Sequence, residues 1–190
     1  MNLPNALTIL RIFFVPLLVA ALVQDSSVFR FGSLEITNDL LSLAIFLAAA
    51  GTDLLDGYLA RRWKQVTTIG TLLDPIADKV LLSGVYVSLA AAGSIPWALV
   101  LIILGRDLLL LASSGIALLF TEYRQFRPSF WGKASTFVQI ACATAWMAQN
   151  AINSSALHVL AQTLVWPTAA LTIWSGLHYS WRGMRLLRAH

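Results

Sequence analysis

Four of the chain's nine acidic residues, Asp53, Asp56, Asp74 and Asp78, fall within 26 positions, beside long apolar runs. At membrane depth an ionised carboxylate is costly unless it is hydrated, paired or bound to a metal, so these four are the first candidates for chemistry. In Gly51-Thr52-Asp53-Leu54-Leu55-Asp56-Gly57-Tyr58-Leu59-Ala60-Arg61, positions 53, 56, 57 and 60 keep the three-and-four rhythm of one helical face. Gly57 and Ala60 make that face shallow, so a ligand or another backbone can approach it. Gly70, Asp74 and Asp78 repeat at intervals of four, and Asp74-Pro75 reads as an N-cap followed by proline at the first helical position. Two like charges 4 Å apart repel by ~4 kcal/mol at an effective dielectric near 20, so converging carboxylates call for a positive partner. An all-oxygen donor set suits hard divalent ions such as Mg²⁺ or Mn²⁺, whereas zinc sites usually recruit His or Cys. The three histidines, His158, His178 and His190, are remote in sequence. A metal site and a set of solvated helix ends are the two readings of this cluster.

Cations stand near these acids. Arg61 and Lys79 could neutralise an aspartate or bind a phosphate oxygen, Arg61 in a fork. Arg106 and Asp107 interrupt the apolar run Leu101 to Leu110, where they read as a functional arginine or as a structural Arg-Asp pair. Lys133 opens another apolar run and reads as a ligand-binding cation or as a lysine snorkelling to the interface. Trp63, Trp131 and Trp181 near one set of span ends and Trp97 near the other fit aromatic belts and carry no assigned chemistry.

The elements that must position these residues follow from composition. Of 190 residues, 58% are hydrophobic and 12% charged, and mean hydropathy is +0.74, the profile of a chain solvated by a bilayer. Six apolar stretches approach the ~20 residues that cross a hydrocarbon core: Asn5 to Val23, Leu40 to Ala60, Pro75 to Ala92, Pro96 to Phe120, Trp131 to Gln149 and Leu157 to Tyr179. The expected fold is therefore all-α and integral to the membrane, a six-transmembrane-helix bundle forming a single domain over 1–190. The first stretch is expected to be a span, not a removable signal, because it lacks a basic leader and carries Arg11. Arg61, Arg62, Lys64, Arg124, Arg127, Lys133, Arg182, Arg185 and Arg188 all fall in connections on one side, and the alternate loops hold only Arg30. The positive-inside rule then puts both termini and the acidic cluster at the cytoplasmic side. The net charge of +4 belongs to that face and to anionic lipid headgroups, not to nucleic acid. Cys142, the single cysteine, forms no intrachain disulfide.

Read as one pattern, residues 53 to 78 are D-x2-D-G-x2-A-R-x8-G-x3-D-x3-D, and all eight fixed positions resemble the motif of the CDP-alcohol phosphotransferase family. Chance agreement at that many positions is on the order of one in 10⁸ or less. The similarity extends to the six-span layout and to the opening Pro4-Asn5-Ala6-Leu7-Thr8-Ile9-Leu10-Arg11, which looks like bacterial and mitochondrial members that make glycerol-based phospholipids. The resemblance implies a homodimer with two divalent ions and a CDP-diacylglycerol donor whose tails stay in lipid. By that likeness Asp53, Asp56 and Asp74 hold one ion and Asp53, Asp74 and Asp78 the other. Gly57, Ala60 and Gly70 line the cytidine pocket, Arg61 lies near the diphosphate, and Asp78 is the general base.

The same resemblance turns Arg106 and Lys133 towards an acceptor phosphate. Phosphatidylglycerophosphate synthases usually show Arg-Glu where this chain has Arg106-Asp107, a further arginine where it has Ser114, and a second lysine where it has Ser135. The Arg-Asp pair and the run Pro128 to Lys133 look closer to the CMP-forming cardiolipin synthases, so glycerol 3-phosphate and phosphatidylglycerol both remain candidate acceptors. A membrane prenyltransferase would also use aspartates on helices, but it leaves Gly57, Ala60, Arg61 and Gly70 unexplained. A divalent-cation transporter would distribute its acids along a pore instead of gathering them at one end. The expected location is a bacterial inner (plasma) membrane.

Overall fold

The computed structural model describes residues 3–24, 28–31, 34–63, 68–120 and 130–188, with side chains for 13–24, 37–52, 79–112 and 130–181. Its helices are α1 (Leu3–Val23), α2 (Asn38–Trp63), α3 (Thr68–Ala91), α4 (Trp97–Phe120), α5 (Phe130–Ile152) and α6 (Ser155–Arg188). They answer the six apolar stretches one for one. An antiparallel hairpin, β1 (Val28–Phe31) with β2 (Leu34–Thr37), departs from the all-α expectation; it pairs Val28 with Thr37 and Phe31 with Leu34. The aromatic and β-branched residues of both strands and a two-residue Gly32-Ser33 connection favour that pairing.

A second departure concerns Asp74. Helix α3 starts at Thr68, so Asp74-Pro75 lies inside it and Asp74 is not its N-cap. The apolar run through Leu72 and Leu73 continues the helix past the proline, which lacks the N–H that would bond the Thr71 carbonyl. Apolar membrane helices tolerate such a loss where neighbouring groups satisfy the freed carbonyl.

Helix α1 packs against α2 and α3, α5 against α6 and α2, and α4 against α6 and α3. Gly84 permits the close approach of α3 to α1, because a Cβ there would come within 3.3 Å of Val19. At the end of α3, Gly93 takes a φ of 74° while its N–H bonds the Ala90 carbonyl and the Ser94 N–H bonds that of Leu89. This is the left-handed cap that stops a helix sharply, and it frees the chain to turn into α4.

The core holds Leu18, Phe46, Val85, Leu89, Leu99, Ile103 and Met147, together with Tyr86, whose hydroxyl donates to the Gln139 carbonyl at 2.9 Å. The distribution of polarity is unlike that of a water-soluble bundle. Phe13, Phe130, Phe137 and Trp166 lie on the outside, while Ser42, Arg106, Asp107, Ser135, Gln139, Thr168, Thr172 and Ser175 are buried. Such an arrangement suits a bundle surrounded by lipid. Among the described residues, Ser155–Trp181 is long and apolar enough to cross a bilayer by length and composition, and Phe13–Val23, Asn38–Thr52 and Lys79–Ala91 are shorter apolar helical stretches.

Candidate functional site

The backbone puts Asp53, Asp56, Gly57, Ala60 and Arg61 in the last three turns of α2, and Gly70, Asp74 and Asp78 in the first three turns of α3. Only four residues separate the two helices, so the chain holds the end of one within about 18 Å of the start of the other. The side chains of all eight lie outside the described residues. Among the described residues no group of three His, Cys, Asp or Glu converges, and the candidate metal ligands are not in that set. What bears on a metal is the donor chemistry: four carboxylates fit a hard divalent ion.

Immediately after Asp78 the side chains are described, and they form a charged cluster. Asp107 Oδ1 accepts a hydrogen bond from Lys79 Nζ at 2.6 Å and from Arg106 Nη1 at 2.8 Å. Arg106 Nη2 donates to Ser175 Oγ at 3.0 Å. The cluster joins α3, α4 and α6, and Arg106 and Asp107 are each only 5% exposed. The Asp107 carboxylate offsets part of the cost of holding the two cations beside it. Within this cluster two buried atoms keep no hydrogen-bond partner among the described residues: Arg106 Nε and Asp107 Oδ2.

Glycines shape the walls around this arginine. A Cβ at Gly132 in α5 would lie 3.4 Å from Arg106 Nη2 and 3.1 Å from the Tyr179 hydroxyl, and one at Gly176 would lie 3.6 Å from Arg106 Cγ. Gly132 lets α5 close on the guanidinium, and Gly176 lets α6 close on the arginine's aliphatic stem. Lys133 follows Gly132 and is exposed in the first turn of α5, so the fold brings Arg106 beside the helix start that carries Lys133.

Beyond this cluster a neutral seam continues along the α5–α6 contact. Gln139 Nε2 donates to Thr172 Oγ1 at 3.0 Å and to Ser135 Oγ at 3.3 Å, and the Thr172 hydroxyl donates to the Thr168 carbonyl. Sequence reasoning found Arg106, Asp107 and Lys79 as charges but missed Ser175 and Gly176. A signal existed: Thr168, Thr172 and Ser175 recur at four and three residues on one face of an otherwise apolar helix.

Comparison with known proteins adds family information to this geometry. A family model described as CDP-alcohol phosphatidyltransferase matches residues 1–174. A probable phosphatidylglycerophosphate synthase of Mycobacterium tuberculosis is 34% identical over 187 residues, covering 97% of this chain and 82% of that one. The CDP-diacylglycerol–glycerol-3-phosphate 3-phosphatidyltransferase of Haemophilus influenzae is 33% identical over 184 residues, with 94% and 91% covered. A CMP-forming cardiolipin synthase of Homo sapiens is 32% identical over 211 residues, covering 98% of this chain but 64% of the human protein.

Proposed function

The chain belongs to the CDP-alcohol phosphatidyltransferase family, and from that premise we propose that it transfers a phosphatidyl group from CDP-diacylglycerol to a hydroxyl of a glycerol-based acceptor, releasing CMP. The observation that carries this reading is the complete eight-position motif, divided between the end of α2 and the start of α3. The acceptor is glycerol 3-phosphate, which the name of one relative carries, or phosphatidylglycerol, which the likeness to CMP-forming cardiolipin synthases implies. The prenyltransferase and transporter readings find no support among those relatives.

The reaction is a displacement at phosphorus. The acceptor hydroxyl oxygen forms a bond to the phosphorus that carries diacylglycerol, the bond from that phosphorus to the bridging oxygen breaks, and CMP leaves with that oxygen. Asp78 receives the hydroxyl proton. Asp53, Asp56 and Asp74 would hold one divalent ion and Asp53, Asp74 and Asp78 a second. Two such ions, Mg²⁺ or Mn²⁺, supply charge neutralisation on the diphosphate when bound. Gly57, Ala60 and Gly70 admit the cytidine because their small side chains leave the helix surfaces low, and Arg61 pairs with a diphosphate oxygen. Arg106 and Lys133 take the acceptor's phosphate and bring its hydroxyl to the reacting phosphorus.

This reading completes the architecture. Six membrane spans put both termini and the site at the cytoplasmic face of a bacterial inner membrane, and the protein works as a homodimer. The test supplies labelled CDP-diacylglycerol in vesicles with glycerol 3-phosphate or with phosphatidylglycerol, and identifies the lipid formed. CMP and a phosphatidyl product are expected in one arm. Absence of CMP release in both arms, from folded protein supplied with Mg²⁺ or Mn²⁺, overturns the assignment.

A further inference from the structure

We infer that Asp107 and Ser175 are positioning residues that hold the Arg106 guanidinium from two helices for the phosphate of the acceptor, an inference that rests on the acceptor role given to Arg106 above. The Asp107 carboxylate grips Nη1 at 2.8 Å and the Ser175 hydroxyl grips Nη2 at 3.0 Å. A guanidinium held at both terminal nitrogens has its plane fixed, which a single contact on a long side chain does not achieve. The stem is fixed as well, because Gly176 brings the α6 backbone against Arg106 Cβ and Cγ.

Fixing the plane has a directional consequence. An arginine carries five N–H donors, and the grips on Nη1 and Nη2 leave Nε free of any hydrogen bond although it is buried. The neighbouring Asp107 Oδ2 is likewise buried and without a donor. Unsatisfied buried polar atoms are rare in native proteins and call for a partner. A phosphate oxygen accepts hydrogen bonds, so the phosphate of a glycerol-based acceptor is the ligand chemistry that would satisfy Nε. Gly132 offers no side chain beside Nη2, which keeps the α5 side of the guanidinium low.

Asp107 also has an electrostatic part. Its Oδ1 lies between Lys79 and Arg106, so the two cations are drawn to one oxygen instead of repelling each other. Lys79 follows Asp78 directly, so the carboxylate that aims the acceptor arginine also ties down the helix turn carrying the proposed base. A structural ion pair alone would make no distinction between the two substrates. A positioning pair acts on the acceptor.

The test uses the full chain in phosphatidylcholine vesicles, following CMP release while either CDP-diacylglycerol or the acceptor is varied. Glycerol 3-phosphate and phosphatidylglycerol are supplied in separate arms, and rates are normalised to folded protein by size-exclusion recovery. Asp107→Asn is expected to raise the acceptor KM roughly tenfold, and Ser175→Ala about threefold, with the CDP-diacylglycerol KM within about twofold of wild type. Arg106→Gln should raise the acceptor KM at least as much as Asp107→Asn, and the double variant should be no worse than Arg106→Gln alone, because the aspartate acts through the arginine. Multiplicative effects in the double variant overturn the inference. So does a normal acceptor KM in both Asp107→Asn and Ser175→Ala while Arg106→Gln raises it, a result that leaves the acceptor role of Arg106 standing. If Arg106→Gln itself leaves the acceptor KM unchanged, the acceptor assignment falls and the inference falls with it. Should Asp107→Asn fail to fold, Ser175→Ala decides alone, since it removes one hydrogen bond and no charge.

Discussion

The aspartate motif comes from one continuous stretch of 26 positions, whereas the cation cluster draws Lys79, Arg106, Asp107, Gly132 and Ser175 from four different helices. The first can be read along the chain because helical spacing and a short connection already assemble it. The second exists only after α3, α4, α5 and α6 have packed. In the proposed chemistry the two regions also divide the substrates: the aspartates serve the diphosphate and the proton, and the cation cluster serves the acceptor. Variants that separate catalytic rate from acceptor affinity therefore test whether the division is real.

The largest effect is expected from removing divalent ions. Treatment of the wild-type protein with a chelator should bring CMP release to background, and adding Mg²⁺ or Mn²⁺ should restore it. Unchanged turnover after chelation would break the comparison at its acidic half. Next comes Asp78→Asn, which removes the proton acceptor and one carboxylate charge together. Its kcat is expected to fall by about 10²- to 10⁴-fold, while the protein still elutes as a folded species from size exclusion. Near-normal turnover would show that the proton goes elsewhere.

A smaller effect is expected from Gly132→Ala. The new methyl would lie 3.1 Å from the Tyr179 hydroxyl and 3.4 Å from Arg106 Nη2, so one of those neighbours must give way. The acceptor KM should rise about threefold to tenfold, equivalent to roughly 0.7–1.4 kcal/mol, with the CDP-diacylglycerol KM unchanged. An equal rise in both constants would mean that the cation cluster is not reserved for the acceptor.

How much of this was legible in the sequence follows the same division. Six apolar runs correspond to six helices because a helix of ~20 apolar residues needs no distant partner to satisfy its backbone. The hairpin between α1 and α2 was not foreseen, since four-residue strands carry too little periodicity to stand out beside long apolar runs. Asp74-Pro75 matches the chemistry of a helix N-terminus and so points to a start at Pro75, whereas α3 begins seven residues upstream at Thr68. Arg106 and Asp107 were visible as charges in an apolar run. The pairing of Asp107 with Lys79 and of Arg106 with the Ser175 hydroxyl is not visible there, because pairing across 28 and 69 positions depends on helix packing.

The mildest change separates both regions from the scaffold that carries them. Tyr86→Phe deletes the hydroxyl that donates to the Gln139 carbonyl at 2.9 Å, in a fully buried position joining α3 to α5. That carbonyl is inside α5 and still has a helical N–H to accept from, so the loss leaves no orphaned acceptor and no large cavity. Stability should fall by roughly 1 kcal/mol or less, the range of single interhelical hydrogen bonds in membrane proteins. Thermal unfolding in detergent measures that shift, and kcat and both KM values should stay within about twofold of wild type. A selective loss of acceptor affinity would instead tie the cation cluster to the α3–α5 contact, and would extend the acceptor half of the site one helical layer deeper than Arg106.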